Sequence, residues 1–153
     1  MKLENIEIGI GIGPLRFGME REEAKKLMGE PDEVEEYDET EDMLGRSEIW
    51  HYDDQEISLS FEEGEEWTLV AIATSSEDVT IAGKKMIGLA KEEVFKFATE
   101  FQLGEMEEEQ LTDEDGISST VLSFYESGMN LWFEDNLLSE IQWGALWDEE
   151  TLN

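Results

Sequence analysis

His51 is the only histidine of the chain, among forty-one acidic residues and no cysteine, so proton-transfer chemistry would have to begin there. It stands between Trp50 and Tyr52 on a segment whose alternation predicts a strand. With those aromatics turned inward, His51 turns out to an open face. A general base needs a nucleophile in reach, and no hydroxyl stands at a recognisable catalytic spacing, while a thiol is absent altogether. The residue reads as an ordinary strand position, and we expect no catalytic residues and no enzyme.

Carboxylates invite two further readings. Acid and base pairs of the glycosidase kind cannot be singled out from so many candidates. The run Asp113-Glu114-Asp115-Gly116 has the composition of a calcium loop. Placing Gly116 at the sixth position, however, puts Leu111 at the first and Leu122 at the twelfth, so the pattern fails. We therefore expect no metal and no cofactor. The glycines at 9, 11 and 13 suggest a phosphate loop, but the sixth position of G-x-G-x-x-G falls on Pro14 or Arg16, and no helix opens directly behind it. A half-buried strand over residues 5–12, with Ile6, Ile8, Ile10 and Ile12 on one face, is the better reading.

Side chains lying off the core phase carry more information. If Leu131 and Phe133 face inward, Trp132 faces out; if Leu122 and Phe124 do, so does Tyr125. They would share the open face with His51, Ser58, Ser60, Asn130 and Gln142. Exposed aromatics on a polar sheet rimmed by carboxylates have the composition of a protein-binding surface. The competing reading is that another layer covers them, such as the C-terminal segment with Leu146 and Trp147.

The elements that must position these residues occur twice. Residues 17–28, FGMEREEAKKLM, return at 87–98 as IGLAKEEVFKFA, an offset of seventy. In each copy apolar residues fall at helical spacing, and Glu22/Lys26 and Glu92/Lys96 make i,i+4 pairs. The spacing predicts helices over 20–28 and 91–102. Gly29 and Pro31 mark the end of the first, Leu103-Gly104 that of the second. Strands follow at 49–52, 56–61 and 67–73, then at 118–125, 128–134 and 138–143. At an offset of seventy-two, Ile57-x-Leu59-x-Phe61 aligns with Met129-x-Leu131-x-Phe133, and Leu69-x-Ala71 with Ile141-x-Trp143. Residues 33–45 read as a ragged edge strand or loop, and 105–116 as an acidic loop. The expected fold class is α+β: two tandem β-α-β-β-β repeats, 1–76 and 77–153, in one compact domain forming a curved antiparallel sheet with the helices on one side.

The run G-P-L-R-F-G-M-E-R-E-E-A-x-x-L-M-G-E-P at 13–31, followed by W-H-Y and L-S-F-E-E-G, resembles the SmpA/OmlA-type lipoprotein unit of the β-barrel assembly machine. Two such units in tandem are similar to the β-lactamase-inhibitor-protein fold. That resemblance implies a concave sheet surface that grips a partner protein. The chain departs from the pattern in having no cysteine for a lipid, and in carrying Glu20 and Ala90 where a capping Ser or Thr is usual.

Charge narrows the partners. Ten basic residues against forty-one acidic ones give a net charge of −31, far beyond the magnitude of about 2 to 8 usual for a small domain. Bare nucleic acid and anionic membrane would repel the chain. No apolar run approaches the length of a membrane span, and the N-terminus has charges inside what would be a secretory segment, so we expect a cytoplasmic protein. The expected function is non-catalytic protein binding, as an inhibitor or immunity protein that neutralises a basic partner such as a toxin or enzyme. A nucleic-acid mimic that inhibits a nuclease or DNA-binding protein, and a small-ligand binder on the open face, are the alternatives.

Overall fold

A computed structural model describes residues 5–37, 46–63, 66–101, 103–112, 114, 116, 118–124 and 126–144. The first half runs β1 (Asn5–Glu7), β2 (Gly11–Ile12), β3 (Leu15–Arg16), α1 (Arg21–Met28), β4 (Glu33–Tyr37), β5 (Ser47–Tyr52), β6 (Ile57–Glu62) and β7 (Thr68–Thr74). The second runs β8 (Thr80–Ile81), β9 (Lys84–Lys85), α2 (Lys91–Glu100), β10 (Met106–Thr112), β11 (Ser118–Phe124), β12 (Met129–Glu134) and β13 (Leu137–Gly144). An eight-stranded antiparallel sheet has the order β10-β11-β12-β13-β7-β6-β5-β4, so the two halves meet where β13 pairs with β7. A five-stranded sheet, β3-β2-β1-β8-β9, is mixed, because β1 pairs with β8 in parallel.

This overturns the expected α+β class: the chain is mostly β, with two sheets and only two short helices among the described residues. Three misreadings account for the difference. The segments leading to each helix are not simple entries but form the second sheet. The acidic stretch at 105–116, expected as a loop, holds the seven-residue strand β10; β4 forms the opposite edge of the large sheet, the edge-strand alternative expected within 33–45. The expected single strand over 5–12 is a hairpin in which Ile6 opposes Ile12, so Ile10 comes out exposed rather than aligned with Ile6. Gly11 fits this hairpin for a steric reason: its φ is +152°, and a Cβ there would run into the Leu15 carbonyl oxygen.

The inner face of the large sheet obeys its alternation. Trp50, Tyr52, Ile57, Leu59 and Phe61 from one half, and Leu122, Phe124, Met129, Leu131 and Phe133 from the other, are buried. They join one apolar cluster with Ile6, Ile12, Leu15, Ile81 and Met86 from the small sheet and its flanks, and with Ala24, Val94, Phe97 and Ala98 from the helices. Each fully buried side chain of this size contributes on the order of 1.5–3 kcal/mol.

Neither helix has a side-chain cap. Each is fixed instead by a backbone clip on the residues that lead into it. The Gly18 N–H donates to the Leu69 carbonyl at 2.9 Å and the Leu69 N–H to that of Met19 at 2.9 Å; Gly88 and Leu89 hold Leu138 in the same way, at 2.8 and 2.9 Å.

These clips pair Leu69 with Leu138, not with Ile141. The two β-bulges, at Ser60/Phe61 and Trp132/Phe133, keep the offset of seventy-two. The following hairpin breaks it: five residues separate the paired Glu62 and Thr68, whereas two separate Glu134 and Leu137. The expected alignment of Leu69-x-Ala71 with Ile141-x-Trp143 therefore slips by the three extra residues.

Candidate functional site

The outer face of the large sheet carries a row of directly opposed residues across all eight strands. Glu33 faces His51, His51 faces Ser58, Ser58 faces Ala73 and Ala73 faces Gln142. Gln142 then faces Asn130, Asn130 faces Ser123 and Ser123 faces Glu107. Four of the residues expected at the site, His51, Ser58, Gln142 and Asn130, thus lie on one line, and all are partly exposed. Their alternation with buried neighbours puts them there. Small side chains at the centre, Ala73 and Ser58, leave the middle of the row low, while glutamates end it on both edges.

At the β4–β6 end the row is locked by hydrogen bonds. His51 Nε2 lies 2.7 Å from Glu35 Oε1, and His51 Nδ1 lies 2.8 Å from Ser58 Oγ. The Glu35 carboxylate only accepts, so Nε2 carries a proton toward it, and Nδ1 meets the Ser58 hydroxyl, which can donate or accept there. The Tyr37 hydroxyl donates to the other oxygen of Glu35. Hydrogen bonds from Tyr37 and then His51 hold the Glu35 carboxyl below the usual range, and the same carboxylate pushes the Tyr37 hydroxyl up. Sequence reading missed Glu35 and Tyr37 because the stretch looked irregular. The signal was the spacing Glu33-x-Glu35-x-Tyr37 opposite β5.

A serine, a histidine and a glutamate in contact raise the question of acyl transfer. Ser58 lies within β6, which pairs with β5 on one side and β7 on the other. The backbone N–H groups beside it are committed to those ladders and are not free to form an oxyanion hole.

A cavity of about 200 Å³ opens beside His51, lined among others by Ser58, Asp53, Glu56, Thr74 and Glu140. It is smaller than the roughly 300 Å³ at which small-molecule sites begin. Thr74 is fully engaged, donating to the Glu56 carbonyl at 2.9 Å and accepting from the Ser76 N–H at 3.1 Å. Burial, and then the charge of Glu134, push the Glu140 carboxyl up. Among the described residues no group of three or more His, Asp or Glu could hold a metal ion.

The other end of the face differs. Trp132 opposes Val121 and Glu140. Val121 is only 6% exposed although it stands on the outer phase, and it lies outside the main apolar cluster. Trp132 is half-buried, and its indole N–H is enclosed without a partner among the described residues. It is thus less displayed than its strand phase suggested. Ser60 is partly exposed on the β6 side of the face. Tyr125, Leu146 and Trp147 lie outside the described residues.

No family model matches the chain, and no curated protein matches it. Among solved structures it is similar to an extracellular protein containing an SCP domain from Bacillus anthracis strain Ames, at 18% identity and a TM-score of 0.49. The alignment covers 89% of this chain and 45% of that one, so the chain spans less than half of that protein's length. Among the described residues no helix is long and apolar enough to cross a membrane.

Proposed function

We propose that the chain is a non-catalytic protein-binding module that grips a basic partner with the outer face of its eight-stranded sheet, as an inhibitor or immunity protein does. The observation that carries the reading is the row from Glu33 to Glu107. It joins a low, small-residue centre to a His51 held at both ring nitrogens. Side chains already fixed lose little conformational freedom on binding. The net charge of −31 would speed encounter with a positive surface. The resemblance to tandem SmpA/OmlA-type units points the same way. Glutamates stand on both edge strands and on both helices, a scatter that favours general steering over the single line of charges a nucleic-acid mimic would need.

The test is a defined binding measurement. Protein recovered from the source organism on the immobilised chain is purified and titrated against wild type and against Ala73→Arg, which raises a long side chain in the middle of the row. We expect at least a tenfold loss of affinity in the variant with an unchanged circular-dichroism spectrum, and weaker wild-type binding as salt rises. A partner that is acidic, or one that binds Ala73→Arg as tightly as wild type, sinks the reading.

A further inference from the structure

The outer-face row ends at β4, an edge strand with features of its own. All five of its residues pair with β5 in unbroken register, from Glu33 opposite His51 to Tyr37 opposite Ser47. That ladder uses one side of the strand. On the other side, alternate N–H and C=O groups point away from the sheet, and no further backbone hydrogen bond joins Glu33–Tyr37 to the described residues. Val34 and Tyr37, each 44% exposed, are apolar side chains left standing at this edge. Around them are Glu33, Glu35 and Glu36.

An open strand edge is a template for another strand. The glutamates decide which strand it accepts. A second copy of this chain would set glutamate against glutamate, and like charges directly opposite one another destabilise a pair. A segment with lysine or arginine opposite Glu33 and Glu35 on the outer face, and an apolar residue opposite Val34 on the inner face, meets complementary groups at each position. The opposite edge, β10, has a longer glutamate run, but β4 is the one continuous with the hydrogen-bonded group of Tyr37, Glu35, His51 and Ser58.

We propose that β4 is a strand-addition site, at which an extended basic segment of the partner continues the large sheet and extends the outer face by one strand. This deepens the reading of the chain as a binder of basic proteins and rests on it. The backbone of the added segment supplies affinity, and its alternating lysine or arginine side chains supply selectivity.

The experiment uses the full chain and a synthetic seven-residue peptide of alternating lysine and valine, at physiological salt. A control peptide of the same sequence carries N-methyl groups on alternate residues, so that charge and composition are kept while the pairing edge is blocked. We expect the first peptide to slow amide hydrogen exchange within Glu33–Tyr37 and to bind at least tenfold more tightly than the control. Val34→Lys should weaken it by a similar factor while the variant stays folded. Ala73→Arg should leave peptide binding unchanged, which separates this site from the outer-face reading. Equal affinity for the two peptides, or protection that appears on β5–β7 rather than β4, overturns the proposal. So does a dimer, formed without peptide at high salt, that protects the same amides.

Discussion

Ser60 and Trp132 occupy matching positions, just ahead of the β-bulges in β6 and β12, yet one is a small hydroxyl and the other an indole. Ser60 stands between Ile49 and Ala71, whereas Trp132 stands between Val121, which is buried, and Glu140. The inner faces of the same strands carry a buried apolar residue at every matching position. A frame that occurs in both halves thus keeps its buried side apolar, because every inward residue is constrained by neighbours packed on all sides. Its outward side is free to diverge into two surfaces with different chemistry.

The inward equivalence can be broken most sharply in the core. Leu59 and Leu131 are both fully buried at matching positions, and truncating either to alanine should cost about 2–5 kcal/mol in urea denaturation. The two losses should agree within about 1 kcal/mol, and a wider gap would show that the halves are packed differently. The outward difference should appear next in size. Trp132→Ala is expected to cost about 2 kcal/mol because it uncovers Val121, whereas Ser60→Ala should stay within about 0.5 kcal/mol. Equal, small losses would mean that Trp132 contributes contact surface only.

The hairpins that follow the bulges differ more subtly. Asp135 and Asn136 take φ of 51° and 68°, values those residue types tolerate, but Glu66 and Trp67 take 58° and 59°, where a large side chain is strained. Trp67 is held there with the Arg21 guanidinium 4.3 Å from the centre of its ring, and Arg21 pairs with Glu48 at 3.1 Å. Glu66→Gly should raise stability by about 0.5–1 kcal/mol, and Asn136→Gly should change it little, both read from thermal midpoints.

The smallest contrast is in acid. Glu35 titrates below the ordinary glutamate value of 4.5, so its contribution is fully present above that pH and is lost as pH falls through the lowered value. Glu140 titrates above 4.5, so its contribution is present below that pH and is lost as pH rises through the raised value. Glu35→Gln should therefore flatten the acid limb of a midpoint-versus-pH profile, while Glu140→Gln should lift the midpoint at neutral pH. Parallel shifts in both variants would contradict the opposed environments.

How much of this was legible depended on which residues were buried. The phase of β5, β6, β11, β12 and the Ile141–Trp143 part of β13 followed from alternation alone, because a half-buried strand repeats every two residues. That phase also placed His51, Ser58, Asn130 and Gln142 on one face. β10 escaped notice since an exposed edge needs no apolar side chains, and Glu107-Glu108-Glu109 has the composition of a loop. The two-residue strands β2, β3, β8 and β9 are too short to show any period, so the second sheet, and with it the fold class, was hidden. The three-residue slip in the last strand was hidden for the same reason: Ile72 and Ile141 match as well as Leu69 and Ile141 do until hydrogen bonds choose between them. The spacing Glu33-x-Glu35-x-Tyr37 marked one face of β4, but Glu35 reached His51 only through the pairing of β4 with β5, a register the spacing does not record.

The parallel pairing of β1 with β8 bears on how the chain could be cut. Asn5 and Ile6 lie beside Thr80 and Ile81, while Ile72 and Thr74 lie beside Trp143 and Ile141, so the halves are stitched together in both sheets at once. The peptide link through exposed Glu77 and Asp78 is then only one of several ties between them. Co-expressed as two pieces separated after Glu77, the fragments should find each other and co-purify as one folded species. Either piece alone would expose the seam where β7 meets β13 and should aggregate.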